Sequence, residues 1–276
     1  MRKNIARPKE KYLWKFIDLY KFIKFLKTKE MYFSSLNDFD DLYEFTSEDF
    51  VLKLKEAHRI ADIPDDLRNP KIDRKVYTQY EHAFLALLES LKKQRKDRYV
   101  NCFFASDYES LAMWQLYSGI QGVAIRFDSN SVLDYVECFY SRNLYEKYAL
   151  NANYVTYKNV INIDFYDDSS KPVEPNYTSD PFVKDNMYKH ENEYRIMIMR
   201  IDSYDVRPII KINKWDDIAF EIFVFSDLEN WKIEAIQNLL DDYGLNKKVM
   251  KSETITKKLV DKYKNKFVEE AFRKLI

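Results

Sequence analysis

The chain has 276 residues, with 45 basic and 45 acidic side chains, so its formal net charge is zero and no global field draws it to nucleic acid. Its hydrophobic content of 46% and aromatic content of 16%, with 22 tyrosines and 19 phenylalanines, allow a sizeable core packed with rings. The three glycines (Gly119, Gly122, Gly244) exclude a glycine-rich phosphate loop or a dinucleotide fingerprint, and the two cysteines (Cys102, Cys138) exclude a disulfide framework or a zinc ribbon.

His58, His82 and His190 lack metal-ligand spacing. No run approaches the ~20 apolar residues of a membrane helix. Residues 1–8, MRKNIARP, lack the apolar stretch of a signal peptide. A cytoplasmic protein without a membrane partner is therefore expected. Charge is uneven at one place: residues 247–276 hold ten basic and four acidic side chains. That segment reads as a solvated helix face or as a surface for a partner or nucleic acid.

In chain order, Tyr12–Ile17 reads as a strand, and Asp18 as the cap of a helix to Lys29 with Leu19, Phe22, Ile23 and Leu26 at helical spacing. Met31–Ser35 is expected to be a second strand. An acidic, turn-like stretch follows at 36–47, then a helical insertion over about 48–98, interrupted at Pro64 and Pro70. Val100–Ala105 reads as a third strand, with Cys102 as a buried strand residue or, alternatively, a nucleophile. Ser106 and Glu109 match a capping box for a helix carrying Trp114 and Tyr117 and closed by Gly119.

Gly122–Asp128 is expected to be a strand, with Ser129 starting the next helix. Strands are expected near 153–157, 193–200, 207–212, 219–225 and 249, with a polar loop at 159–181. Ser226 and Glu229 repeat the capping pattern before a helix to Tyr243, and a last helix is expected from about Thr256. Mixed elements without regular alternation predict one α+β domain over 1–276 with a mixed, mainly antiparallel sheet.

The most informative stretch is Glu191-Asn192-Glu193-Tyr194-Arg195-Ile196-Met197-Ile198-Met199. Strand alternation would put Glu191, Glu193 and Arg195 on one face and Tyr194, Ile196 and Ile198 on the other. Two carboxylates at the mouth of an apolar strand suit a substrate that becomes positively charged; a salt-bridged strand end is the plainer reading. Lys15 could hold a phosphate or simply reach water. Ser34 and Ser35 could bind a ribose or end a strand. Asp38 to Glu44 packs carboxylates without EF-hand spacing. Trp114 and Tyr117, three apart on a helix, could line a pocket or fill the core.

Taken in order, these motifs resemble a bacterial family, domain of unknown function family 2971. The resemblance rests on Leu13-Trp14-Lys15-Phe16, Tyr32-Phe33-Ser34-Ser35, Phe39 to Glu44, Ala112 to Tyr117, Gly122 to Asp128, and Lys184 with Glu191-x-Glu193-x-Arg195. Asp40, Leu42 and Leu116 depart from the family pattern. A basic residue on one strand, paired serines on another and Glu-x-Glu opening an apolar strand also look like mono-ADP-ribosyltransferases, with Lys15 where an arginine is usual.

That second resemblance implies an ADP-ribosyltransferase-like fold that takes NAD as substrate without a Rossmann domain. It implies that Glu193 steadies the ribosyl cation and Glu191 orients or deprotonates the acceptor. Ser34 and Ser35 would position the ribose and Lys15 a phosphate. Trp114, Tyr117 and Arg195 would complete the NAD-binding set. It further implies a protein or nucleic-acid acceptor and a toxin-type role in antiviral defence, with an antitoxin or defence-complex partner. The alternatives are a non-catalytic binding module, an NAD glycohydrolase, and a metal-dependent nuclease built on the acidic loop.

Overall fold

The structure, a computed structural model, describes residues 2–39, 93–158, 181–201 and 206–253. Its centre is a mixed, mostly antiparallel sheet of nine strands in the order β1 (Lys3–Ile5), β7 (Tyr148–Tyr154), β10 (Glu193–Arg200), β5 (Arg98–Ala105), β2 (Tyr12–Ile17), β6 (Val123–Asp128), β12 (Phe220–Val224) and β13 (Val249–Lys251), with β4 (Ser34–Ser35) also on β5. Only β1 on β7 and β13 on β12 pair in parallel within it. Two-strand ribbons join β3 (Glu30–Met31) to β11 (Ile210–Lys211), and β8 (Thr156–Lys158) to β9 (Val183–Asp185).

Helices α1 (Leu19–Thr28), α2 (Ser129–Asn143) and α3 (Asn230–Asp242) bury their apolar sides in the main core, with Phe22 and Leu26, Val132 and Leu133, and Ile236 and Leu240. Leu13 and Ile17, Ile125 and Phe127, Tyr194, Ile196 and Ile198, and Ile222 and Val224 meet them from the sheet. The period-two alternation of these strands therefore sends their other side chains to the opposite face. That face carries two smaller apolar clusters. One is built on Trp14, Phe16, Trp114, Phe223 and Phe225; the other on Leu36, Val100 and Met197.

An α+β chain with a mixed, mainly antiparallel sheet matches the fold class read from the sequence. The local signals held unevenly. Asp18 caps α1 through its side chain, which accepts from Lys21 N. The caps before the Trp114 segment and before α2 and α3 are Ser110, Asp128 and Glu229, in place of Ser106, Ser129 and Ser226. Glu109 is drawn off by tertiary partners: it accepts from Trp114 Nε1, Ser252 Oγ and the Glu253 amide.

Residues 31–35 do not form one strand. They divide between β3, paired with β11, and β4, paired with β5. Strand β1 was not anticipated. The helical insertion at about 48–98 lies outside the described residues, apart from a helical turn at 93–96. The acidic loop beyond Phe39, most of the polar loop at 159–181 and the C-terminal helix lie outside them too.

Candidate active site

Strand β10 opens the site. Glu191 ends a short 3₁₀ turn (Asn186–Glu191), and Asn192, at φ 36°, links it to the strand in the left-handed region that asparagine tolerates. The Asn192 side chain and backbone both bond Ala105 of β5, which fixes the entry to the strand. Glu193 and Arg195 then project from the same face, as the alternation predicts. Arg195, 0% exposed, grips Glu193 with two parallel bonds: Nε to Oε1 at 2.7 Å and Nη2 to Oε2 at 3.0 Å. Its third arm donates to the Pro181 carbonyl.

Ribbon β8/β9 brings Lys184 over this strand end. Lys184 Nζ lies 2.8 Å from Glu191 Oε2 and 3.7 Å from Glu193 Oε2. One ammonium thus joins both carboxylates. Tyr157, the register partner of Lys184, accepts a 2.8 Å bond from the Glu193 amide. Burial and the nearby carboxylates raise the Tyr157 hydroxyl to about 12, even though the bond from the amide pulls the other way.

The fourth group arrives from the opposite side. The helical segment Leu111–Met113 runs into a π-helical turn, Trp114–Ser118. This wider turn separates the two rings that α-helical spacing would have stacked. Trp114, 1% exposed, enters the aromatic cluster edge-on to Phe16 and Phe225. Tyr117, 44% exposed, swings its hydroxyl to 2.5 Å from Glu191 Oε1. Burial, reinforced by that carboxylate, raises the tyrosine above its ordinary value.

Burial alone would raise the Glu193 carboxyl. Arg195, Lys184 and a hydrogen bond from the Cys102 thiol outweigh it and hold the group down at about 2. Glu193 is consequently a fixed negative charge.

Lys15 completes the wall from β2. On this edge of β5, β2 pairs at Phe104 and Ala105 and β4 pairs at Tyr99 and Val100. Between them, residues 101–103 have no strand partner on that side among the described residues. Lys15 fills the opening, with Nζ at 2.8 Å from both Asn101 Oδ1 and the Cys102 carbonyl oxygen. Burial lowers its pKa, against the opposing pull of Cys102 and Glu193.

These groups enclose a cavity of about 130 Å³ lined by Lys15, Cys102, Tyr117, Lys184, Glu191 and Glu193, with Trp14, Phe16, Phe39, Phe104 and Met113 as its greasy part. Trp14 also borders a wider hollow of about 670 Å³ on the same face, with Arg126 and Lys251 on its wall. The acids there are largely engaged: Glu221 pairs with Arg126, Asp107 accepts from the Lys11 amide, and Glu109 takes the three bonds described above.

Of the residues singled out in the sequence, Lys15, Tyr117, Glu191, Glu193 and Arg195 come together. Trp114 stands behind the site as core. Ser34 and Ser35 do not reach it: Ser34 pairs with Val100, itself opposite Met197, four residues along β10 from Glu193. That puts Ser34 about 17 Å from Glu193, from ~3.4 Å per residue and two strand spacings of ~4.8 Å. Ser35 caps a 3₁₀ turn instead, accepting from the Asn37 amide.

The polar position between the lysine strand and the glutamate strand is filled by Asn101 and Cys102. Lys184 was noted only as part of a motif. Its reach to both carboxylates depends on a ribbon that no local pattern announces. Among the described residues, no group of three or more His, Cys, Asp or Glu side chains is arranged to hold a metal ion. No helix there is long and apolar enough to cross a membrane.

No curated protein and no solved structure matches the chain. Residues 113–196, the stretch that carries Tyr117, Lys184, Glu191, Glu193 and Arg195, match the model of a family described as Protein of unknown function (DUF2971).

Proposed function

We propose that this protein is an NAD-dependent ADP-ribosyltransferase-like enzyme whose reaction centre is the cavity between β2 and β10. The observation that carries the reading is the pair Glu191 and Glu193, joined through Lys184 beside an aromatic wall. Loss of nicotinamide breaks the bond between ribose C1′ and the ring nitrogen. The electron pair leaves with nicotinamide, and positive charge appears on the ribose. A carboxylate held ionised down to about pH 2 meets that charge without rearrangement. Glu191, with Tyr117 on one oxygen and Lys184 on the other, receives the proton of the incoming acceptor.

At about 130 Å³ the cavity has room for the ribose rather than for the whole dinucleotide. The remainder of NAD would lead past Trp14 into the wider hollow of about 670 Å³, which is within the usual size of ligand clefts. Ser34 and Ser35 have no part in this scheme. Lys15, already committed to two acceptors, is not assigned to a phosphate. A protein or nucleic-acid acceptor and a toxin-type role in defence rest on the resemblance to ADP-ribosyltransferases.

The test is incubation of the full chain with NAD labelled in its adenylate half, alongside Glu191→Gln. Release of nicotinamide, with label passing to a macromolecule, is expected from the wild type. The variant, shown folded by circular dichroism, should lose about 100-fold or more, in the range for removal of a general base. Free ADP-ribose alone would narrow the activity to glycohydrolysis. No consumption of NAD, or a variant as fast as wild type, would overturn the proposal.

A further inference from the structure

We infer that a second groove on the same face of the sheet, where β1, β7 and β10 lie side by side, is a binding site for an adenylate unit. Its volume is about 380 Å³, within the range of small-ligand clefts. Along β10, Arg195 stands between Glu193, which lines the first cavity, and Met197, which lines this one. The bond from Arg195 to the Pro181 carbonyl closes the boundary, and Pro181 forms part of the groove wall.

Two amide side chains carry the inference. Asn4 and Asn151 are register partners on the parallel pair β1 and β7, so they stand side by side on one face, about 4.8 Å apart. Asparagine is depleted in strands, where it competes with the ladder, and is favoured at caps and turns. These two serve neither purpose. Both line the groove, and among the described residues neither side chain makes a hydrogen bond. Each amide presents an acceptor oxygen beside two donor hydrogens. That pattern is complementary to N6 and N7 of adenine, the base that asparagine reads through a bidentate pair.

The rest of the wall suits the rest of a nucleotide. Met197, Met199 and Phe182 give the flat base an apolar surface. The one charged side chain that lines the groove is Arg98, the register partner of Met199. Its Cα lies about 12 Å from that of Asn151, from two residues at ~3.4 Å and two strand spacings of ~4.8 Å. The ribose occupies that interval, and the phosphate meets the guanidinium with no acid on the wall to repel it. A neutral sugar would make no use of this charge.

Calorimetric titration of the full chain with AMP, and separately with UMP, tests this. AMP should bind at least about tenfold more tightly, because uracil lacks the N6 and N7 edge. The double variant Asn4→Val with Asn151→Val, two changes that suit a strand, should remain folded by circular dichroism and lose that margin. Short oligoadenylate that displaces AMP assigns the unit to a single strand; failure to displace it assigns the site to the free nucleotide, and adenylate recognition stands in both cases. No binding of AMP, equal affinity for the two nucleotides, or AMP binding untouched by the double variant overturns the assignment. None of these readouts depends on turnover of NAD.

Discussion

Replacing Glu193 by glutamine removes one charge from a pair with no access to water. Arg195 is 0% exposed, and its Nε and Nη2 both end on Glu193. A glutamine offers one acceptor oxygen, and its amide nitrogen would face a second donor. One charge-assisted bond is lost and the guanidinium is left without its nearest counter-charge. Breaking a buried pair in this way costs about 3–5 kcal/mol.

The titration of Glu193 gives the same scale. Its pKa falls from 4.5 to about 2 on folding, worth about 3 kcal/mol at ~1.36 kcal/mol per unit. Because the folded value is depressed, this stability is fully present above pH 4.5 and is lost as pH falls from 4.5 towards 2. Urea unfolding of wild type and Glu193→Gln, followed by circular dichroism, should show that gap at pH 7. The gap should shrink across the same acid window, because the variant lacks the titrating group. Glu193→Leu combined with Arg195→Met should recover most of the loss, since apolar replacement of a buried pair is often neutral or stabilising. A single variant within about 1 kcal/mol of wild type at pH 7 would refute the buried-pair reasoning.

Gly122→Ala should cost about 3 kcal/mol or more in the same urea assay, in the range of severe strain. Its Cβ would lie 2.2 Å from the Ser118 carbonyl oxygen and 2.6 Å from that of Ile17, both backbone atoms. Gly244→Ala meets nothing within 4 Å and should cost only the ~1–2 kcal/mol of a side chain at φ +67°. Tyr117→Phe should leave stability within about 1–2 kcal/mol, the range for one hydrogen bond, while slowing NAD turnover at least tenfold. Ser34→Ala should leave that turnover unchanged, and a large loss would return the serine to the site.

The glutamate strand was legible because its signal is local. Alternation over Glu193–Arg200 fixes which side chains share a face, and no distant contact reverses it. Asp18 was legible for the same reason, since a cap needs only its own helix. The serines misled because a strand-like run says nothing about which strand it joins: β4 pairs with the far end of β5, away from Glu193. Trp114 and Tyr117 were read on an α-helical wheel, and a π-turn rotated them apart. The gap in β5 that Lys15 plugs, and the ribbon that carries Lys184, arise only when segments far apart in sequence meet. No window of residues contains them.

The most direct measurement is a crystal structure of the protein with NAD or its non-hydrolysable carbocyclic analogue. The proposal predicts the nicotinamide ribose in the cavity between Lys15 and Lys184, with a ribose hydroxyl within about 3.2 Å of a Glu191 or Glu193 carboxylate oxygen. Ligand density elsewhere on the molecule, or an empty cavity at saturating ligand, would contradict it.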